Sequence, residues 1–388
     1  MGFLTGRVTC MRFKVDGKPP RSFGTDVLEQ LADNAIGKQR VATSDGSQAG
    51  WIAADHILDT SFDLAKNVIN DALHVAMRVD EQKMPGDLLR AYYQVELQAL
   101  TANNPSGHPS GKQKREARAY AKDRLETEAK DGRFLRRKAI PIVWDAPSNE
   151  LLVGSTAVTA LDRLVTLFHH TFKRKFEYLG AGRQAFNLAE LSNQTRHVDD
   201  AKPTTFTPGG EVSEFAWMPD ENNRDFLGNE FLLWLWHTLE NEADTIKLAD
   251  DSEVTLMIAR TLQLECPRGQ TGRESISSDG PSKLPEAHRA LQAGKLPRKM
   301  GLTLVRHEAQ YELTLQAESL AINAARLPAP EEEDARARLD ERVTQLRHLL
   351  ETLDLLYAAF LKLRLADEWT KEASRIKKWL HLERRSNG

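Results

Sequence analysis

The segment AIPIVWDAPSNELLVG (residues 139–154) decides how this chain folds. Two short apolar runs, 139–144 and 151–154, flank a turn-forming stretch at 145–149 that contains Pro, Ser and Asn. Short apolar runs separated by such residues predict a β-hairpin. Because the strands of a hairpin run antiparallel, the segment predicts an antiparallel sheet.

The rest of the chain extends this pattern. Alternating apolar residues predict a half-buried strand at 73–79, another strand at 253–265, and a second hairpin that turns at Glu308 and Ala309. Residues with helical spacing lie at 22–35, 87–100, 112–130 and 225–241. No regular βαβ series is visible, so the predicted class is α+β, with antiparallel sheets and flanking helices.

Composition and spacing divide the chain into four regions. They are an N-terminal α+β region with a cationic helix (1–182), a loop-rich and helical connector (183–250), a C-terminal β-rich region (251–328) and a helical tail (329–388). Within the third region, residues 268–285 resemble a loop. In the tail, apolar residues from Leu339 to Phe360 follow alternating spacings of four and three, which predicts a long helix that packs on two sides.

Composition excludes several classes of protein. The 388 residues are 40% hydrophobic and 28% charged, as in soluble globular proteins. No apolar run approaches the ~20 residues of a membrane span, and we expect no signal peptide. Only two cysteines are present, which favours a reducing compartment. We therefore expect a cytoplasmic protein.

Motifs for cofactor and covalent chemistry are missing from the sequence. It contains no phosphate-binding glycine loop with its Lys-Ser/Thr, no GxSxG elbow and no HExxH pair. The adjacent His169 and His170 point to different sides of a helix and cannot easily share a metal. We expect no cofactor and no metal, and a protein that is not an enzyme.

Positive charge is concentrated in one stretch, KQKREARAYAKDRLETEAKDGRFLRRK (112–138). It holds eleven Lys or Arg and five Asp or Glu, an excess of +6 in a chain whose net charge is −3. A concentrated basic stripe is typical of a protein that binds a phosphate backbone. An ordinary solvated helix face with interspersed acids is the alternative. The candidate DNA-binding residues of this stretch are Lys112, Lys114, Arg115, Arg118, Arg133, Arg136, Arg137 and Lys138.

A metal-dependent nuclease is the alternative enzymatic interpretation. Asp80, Glu81 and Lys83 match the acidic and basic elements of a magnesium-dependent nuclease, and Asp71 could supply a further carboxylate. Short motifs of this kind are frequent by chance in a highly charged chain. Nuclease activity is therefore the second hypothesis.

The order of several motifs points to a family. The motifs are Gly50-Trp51 after Gly46-Ser47-Gln48, Arg78 followed by Glu81, Lys83 and Pro85, the charged helix, Arg133-Phe134 with Arg136, Trp144-Asp145, Leu151-Leu152-Val153, Ser155-Thr156-Ala157, and the stretch 286–327. Together they resemble the RdgC family of recombination-associated proteins. The resemblance covers roughly residues 5–180 and 250–328.

The resemblance implies a homodimeric ring of two horseshoe-shaped subunits. Double-stranded DNA would pass through its positively charged hole without sequence preference, which would limit the access of RecA and place the protein on the nucleoid. By position, the residues that would face DNA are Arg78, Lys83, Arg133, Arg136 and Lys299. Phe134, also a candidate DNA-binding residue, would lie near the contact between subunits.

Two regions depart from the family pattern. Residues 191–248 are longer and richer in aromatic residues, and the tail 329–388 is longer and more helical. Either could change the dimer contact or add a partner site. A structural interaction protein that uses the tail as its functional surface is thus a third hypothesis.

Overall fold

The computed structural model describes most of the chain. The described residues are 2–38, 41–42, 47–53, 55–102, 108–206, 215, 223–267, 269 and 272–381.

The described residues contain fourteen strands. These are β1 (Val8–Val15), β2 (Val41–Ala42), β3 (Gln48–Ala53), β4 (Val68–Ile69), β5 (Ala72–Gln82), β6 (Leu135–Asp145), β7 (Glu150–Val153), β8 (Phe176–Tyr178), β9 (Thr245–Lys247), β10 (Glu253–Glu265), β11 (Arg273–Ser278), β12 (Leu296–Arg306), β13 (Ala309–Gln316) and β14 (Ile322–Arg326).

Eleven α-helices accompany them in the same part of the chain. They are α1 (Thr25–Asp33), α2 (Leu64–Asn67), α3 (Gly86–Thr101), α4 (Gly111–Ala129), α5 (Val158–Phe172), α6 (Ala181–Glu190), α7 (Thr195–Asp199), α8 (Phe226–Asn241), α9 (Pro285–Gln292), α10 (Ala335–Arg364) and α11 (Trp369–His381).

All named strand pairs are antiparallel. The main path runs β11-β10-β12-β13-β14-β1-β7-β6-β5-β3-β2, with β4, β8 and β9 paired beside it. Strand β1 joins the two halves, because its first residues pair with β14 and its later residues pair with β7. The predicted α+β class with an antiparallel sheet and flanking helices is confirmed.

The hairpin quoted above forms β6 and β7. Trp144 pairs with Leu151 in register. Asn149 supports the turn with a left-handed backbone (φ 52°), and its side-chain amide donates to the Val15 carbonyl at 2.8 Å. The second predicted hairpin forms β12 and β13, with His307 and Glu308 both at positive φ in a two-residue turn.

Strand β5 is buried on both faces, so the prediction of a half-buried strand was wrong. Its apolar residues Val75 and Met77 pack in one hydrophobic core, while His74 and Arg78 on the other face are also buried. On this face α10, more than 250 residues later in the chain, lies near His74, whereas Arg78 contacts the Ile57 carbonyl. Alternation within the strand could not reveal that cover.

Residues 273–278 form a strand, which corrects the prediction of a loop over 268–285. The segment RESISS pairs with β10 at the end of the sheet and alternates only between exposed and half-buried residues. With one apolar residue, Ile276, it carries no clear hydrophobic pattern. Pairing with β10 therefore determines this strand.

Helix α8 is the most deeply buried helix of the C-terminal half. Every residue from Phe226 to Thr238 is buried. Gly228 allows its close approach to the backbone just after β13, since a Cβ there would lie 1.9 Å from the Ala317 carbonyl oxygen. Within the described ranges, no helix has both the length and the apolar character that a bilayer crossing requires.

Helix α10 connects the two halves of the sheet. On one side Asp354 pairs with Arg12 of β1 and Arg347 pairs with Asp145 of β6. On the other side Glu351 pairs with Arg306 of β12 at 2.9 Å. The helix also supplies buried apolar residues to the larger hydrophobic core, so residues 335–364 pack as an integral part of the fold.

Replacement of Gly228 by Ala should destabilise the protein. The added methyl group would collide with backbone, which we expect to lower the free energy of unfolding by about 1–3 kcal/mol. Urea denaturation followed by circular dichroism would measure this. The matched control is Gly86→Ala at the start of α3, where no atom lies within 4 Å of the new Cβ and a gain of roughly 0.5 kcal/mol is expected. Equal effects of the two substitutions would contradict the close approach.

His74 should make stability fall in acid. Burial, with help from the positive N-terminus, Arg336 and Arg347, lowers its pKa from 6.5 to about 3. The unfolded chain then binds the extra proton between these values, so stability decreases as the pH falls from 6.5. Relative to a His74→Gln variant, we expect the parent to lose roughly 1.4 kcal/mol per pH unit in that window. Urea denaturation of both proteins at pH 7.0 and 5.0 measures this. If the difference in unfolding free energy between parent and variant were the same at both pH values, the expectation would be wrong.

Candidate nucleic-acid interface

The cationic stretch belongs to a helical arm, defined here as residues 83–134. The arm leaves the sheet where β5 ends and returns where β6 begins. Gln82, the last residue of β5, is the register partner of Leu135, the first residue of β6. Helices α3 and α4 form the arm, and the main packing partner of each is the other helix. The arm is therefore an insertion between two adjacent strands.

Local sequence explains where α4 begins and which side it buries. Ser110 and Gln113 form a capping box, in which each side chain accepts the backbone N–H of the other. The residues buried against α3 recur every four positions and are mostly small: Ala117, Ala121, Leu125 and Ala129. This spacing places them on one stripe of the helix, so the remaining surface is left to solvent.

Helix α3 contributes no fully buried residue. Polar contacts help to join it to α4. The Arg124 guanidinium lies 4.2 Å from the centre of the Tyr92 ring, and the Tyr92 hydroxyl donates to Glu128 at 2.6 Å. The Glu128 carboxylate that accepts this hydrogen bond raises the pKa of the phenol. Arg124 is thus engaged within the arm.

The charge of the arm and its base differs in sign from the rest of the chain. Residues 83–138 contain thirteen Lys or Arg and seven Asp or Glu, a net charge of +6. Because the whole chain carries −3, the remaining residues carry −9. An anionic polymer would therefore be attracted to the arm and repelled by the body.

Four cations of α4 share one side, here named the basic face. They are Lys114, Arg115, Arg118 and Lys122. At 3.6 residues per turn they fall within an arc of roughly 100° beside the buried stripe. All four are exposed, and Glu116 and Asp123 lie on the other side of the stripe. Glu126 borders the arc beside Lys122, so the separation of cations from acids is clearest over residues 114–118.

Lys122 was missed among the sequence candidates. It lies on the basic face, 3.3 Å from Glu126 in an exposed pair. The signal that would have found it is the helical period, because Lys122 follows Arg118 by four residues and Arg115 by seven. Lys112, which was predicted, is exposed at the start of α4 but outside the arc.

The basic residues at the start of β6 lie on both faces of the sheet. Arg136 and Lys138 pair in register with Glu81 and Val79, while Arg137 pairs with Asp80 and lies 3.8 Å from its carboxylate. Since neighbouring residues of a strand point to opposite faces, one flat anion cannot contact all three side chains.

Arg78 lies inside the protein. Only 10% of its side chain is exposed, and its guanidinium donates two hydrogen bonds to Asp80, at 2.6 and 2.5 Å. A bidentate buried pair of this kind leaves no charge available to a nucleic acid. The structure therefore corrects the expectation that Arg78 faces DNA, because the period of two along β5 turns it to the covered face.

The predicted residues at the base of the arm are accessible. Lys83 is exposed and Phe134 is half-buried, and the Lys83 N–H donates to the Phe134 carbonyl at 3.1 Å. Arg133 is exposed too, but it hydrogen-bonds to Asp131 and lowers the pKa of that carboxyl. Asp131 therefore offsets part of the attraction of Arg133 for a phosphate.

Lys299 lies far from the arm. It is half-buried on β12, next to Gln263 and Gln316. Five strand spacings separate β12 from β6, which is roughly 24 Å along the sheet. The structure thus does not bring Lys299 together with the other candidates in one subunit.

The carboxylates of the nuclease hypothesis are not assembled. Asp80 and Glu81 are adjacent on β5 and point to opposite faces, and Asp80 is paired with Arg78. Asp71 precedes the other end of this strand, roughly 30 Å away. Two-metal and one-metal nuclease sites need their carboxylates around a common ion. The three carboxylates Asp71, Asp80 and Glu81 do not surround a common position in this structure.

Another group of side chains has metal-ligand character. Potential ligand atoms of His237, Glu242 and Glu372 lie within 4.8 Å of one another at the contact of α8 and α11. Arg375 lies 3.7 Å from Glu242 and 3.4 Å from Glu372, so an arginine already balances these carboxylates. The described residues of the arm contain no comparable group.

No protein-family model and no curated protein sequence matches this chain. The resemblance to the RdgC family therefore stays a prediction from the sequence.

A variant without the arm should fold. Because Lys83 and Phe134 are joined by a backbone hydrogen bond, replacing residues 84–133 with Asn-Gly would close β5 and β6 as a tight hairpin. We expect a monomeric fold with a melting temperature within about 5 °C of the parent, since α3 buries no residue in the body. Differential scanning calorimetry would measure it. An unfolded product would show that the arm is part of the folding core.

Proposed function

We propose that this protein binds double-stranded DNA through the sugar-phosphate backbone, without sequence preference, and that the basic face of the arm makes the principal contact. The observation that carries the proposal is a group of four exposed cations on one side of α4, within residues 83–138, which carry a net charge of +6 while the rest of the chain carries −9. No packing requirement of α4 explains this grouping, because its buried stripe is elsewhere.

The dimensions of α4 suit a phosphate backbone. Lys114 and Lys122 are eight residues apart, which is about 12 Å along the helix axis. Duplex DNA carries one negative charge per ~1.7 Å of its axis, so several phosphates lie within that length. Long, exposed side chains can adjust to them.

The basic face offers few side chains held in the fixed orientation that base recognition requires. Reading a base edge depends on a side chain held in a fixed orientation, as in a bidentate arginine–guanine contact. Within the described residues, Arg115 and Arg118 are exposed and form no ion pair, and Arg115 donates only one long hydrogen bond, 3.4 Å, to the Gly111 carbonyl. Contacts to phosphates give affinity without sequence information.

The wider RdgC-like role is part of the same proposal. It comprises a homodimer, encirclement or coating of duplex DNA, location on the nucleoid and interference with RecA-type recombination. Exposed apolar side chains at the arm and its base support self-association, since large apolar side chains on a surface often mark contacts. They are Met84, Val95, Tyr120 and Leu135.

Neutralising the basic face should weaken binding to every DNA sequence alike. In a variant with Lys114, Arg115, Arg118 and Lys122 all replaced by Gln, we expect at least a roughly tenfold loss of affinity at moderate salt. The slope of log K against log salt should become shallower by up to about 3.6, because each of the four lost phosphate contacts removes about 0.9. Fluorescence anisotropy with two duplexes of unrelated sequence, across a salt series, measures both quantities.

A matched control carries the same loss of charge elsewhere. Lys362, Lys371, Lys377 and Lys378 are exposed on α10 and α11, and their replacement by Gln should leave the slope unchanged. Equal weakening by the two quadruple variants would contradict a localised contact. A loss confined to one duplex sequence would contradict backbone-only binding, and a slope of the parent shallower than about −2 would contradict phosphate binding altogether.

A further inference from the structure

Three side chains with metal-ligand character meet at the contact of α8 and α11. His237 lies near the end of α8, Glu242 follows that end directly, and Glu372 belongs to the first turn of α11. Their potential ligand atoms all lie within 4.8 Å of one another. Zinc accepts imidazole nitrogen together with carboxylate oxygen, whereas magnesium and calcium prefer oxygen ligands alone. The residue types of this cluster therefore favour zinc.

Two of the ligand atoms are buried and make no hydrogen bond. His237 is 4% exposed and Glu372 is 6% exposed. The Nδ1 atom of His237 and the Oε1 atom of Glu372 lie 3.1 Å apart, yet neither has a hydrogen-bond partner within the described part of the chain. Buried polar atoms normally find partners. Two unpartnered atoms this close together point to a ligand that binds both.

The separation of these atoms suits a single ion. In a tetrahedral zinc site with bonds of about 2.0–2.1 Å, neighbouring ligand atoms are roughly 3.3 Å apart. His237 Nδ1 and Glu372 Oε1 already lie close to that separation. The Glu242 side chain is 46% exposed, so it can rotate to close the remaining distance. Two ligands are thus in place without zinc, and the third comes from a more mobile side chain.

Neighbouring side chains separate these ligands from a second polar group. The Trp379 ring packs against the His237 ring, with 5.4 Å between their centres. Glu240, also on α8, accepts hydrogen bonds from the indole N–H groups of Trp236 and Trp379 and lies 3.3 Å from His288. Because Glu240 is engaged in this way, it is not among the proposed ligands.

Arg375 is the cation with which zinc would compete. Its Nη1 atom lies 3.4 Å from Oε2 of Glu372 and 3.7 Å from Oε1 of Glu242. Both distances are long for a charge-assisted hydrogen bond, and 68% of the arginine side chain is exposed. Arg375 balances the two carboxylates but forms no hydrogen bond with the unpartnered Oε1 atom of Glu372.

We propose that His237, Glu242 and Glu372 bind one zinc ion, with water as the fourth ligand. The two carboxylates balance the charge of Zn²⁺. Because the ligands come from two helices, bound zinc fastens α11 to α8 and stabilises the folded protein. The site is independent of DNA binding by the arm. It departs from the sequence-based expectation of no metal, because distant parts of the chain supply the ligands.

Metal titrations of the untagged, full-length protein after treatment with EDTA test the proposal. Isothermal titration calorimetry should show about one zinc ion bound per chain, and the melting temperature should rise with zinc concentration. Cobalt in the same site should give the visible absorption of a four-coordinate ion, and added zinc should remove it. Absence of zinc binding, or an equal response to magnesium, would overturn the proposal.

Variants test which side chains hold the ion. Glu242→Gln and Glu372→Gln keep the side-chain shape but remove a charged ligand, so each should weaken zinc binding at least tenfold. The matched control is Glu190→Gln, at the exposed last position of α6, which should leave zinc affinity unchanged. Arg375→Gln removes the competing cation and should strengthen binding at least threefold.

The same variants separate this site from an ordinary histidine–glutamate pair that binds no metal. Circular dichroism confirms that each variant is folded, and the exposed Glu242→Gln change carries the test if a buried change prevents folding. Zinc affinity that stays at the parent value in Glu242→Gln, or that falls in Arg375→Gln, would overturn the assignment of the ligands.

Discussion

The buried guanidinium of Arg12 constrains the whole architecture. It projects from β1, the strand that both halves of the sheet share, and only 6% of its side chain is exposed. Burial acts to lower its pKa, but Asp354 and Glu150 outweigh burial and raise it. A buried charge of this kind requires its partners, because an unpaired one costs several kcal/mol. Helix α10 supplies Asp354, so its position over β1 is set by charge as well as by apolar packing.

The position of α10 has consequences across the sheet. It lies over the second face of the N-terminal half near His74 and forms one wall of a cavity there. It also reaches Arg306 on β12 in the other half. A helix that the sequence presents as a tail is thus the element that holds the two halves of the sheet in a fixed relation.

Charged side chains of the arm are arranged differently from those of the body. In the body, buried arginines are held by partners, as Arg78 is by Asp80 and Arg364 by Glu230. On the basic face of the arm, cations remain exposed and close together, which costs electrostatic repulsion within the free protein. A bound polyanion would relieve this repulsion, and no packing contact of α4 accounts for it. This contrast separates the surface proposed for DNA from the charged residues that stabilise the fold.

Local interactions determined what could be predicted from the sequence by itself. The hairpin at residues 139–154, the helical period of α4 and the α+β class depend on neighbours a few residues apart, and turn chemistry and side-chain periodicity encode them directly. The concentration of positive charge near residue 115 was equally visible. Tertiary structure alone decided the burial of Arg78, the strand at 273–278, the separation of Lys299 from the arm, and the cavity under α10. Each of these depends on an element paired or packed from a distant part of the chain, and no local pattern records which partner will cover a given face.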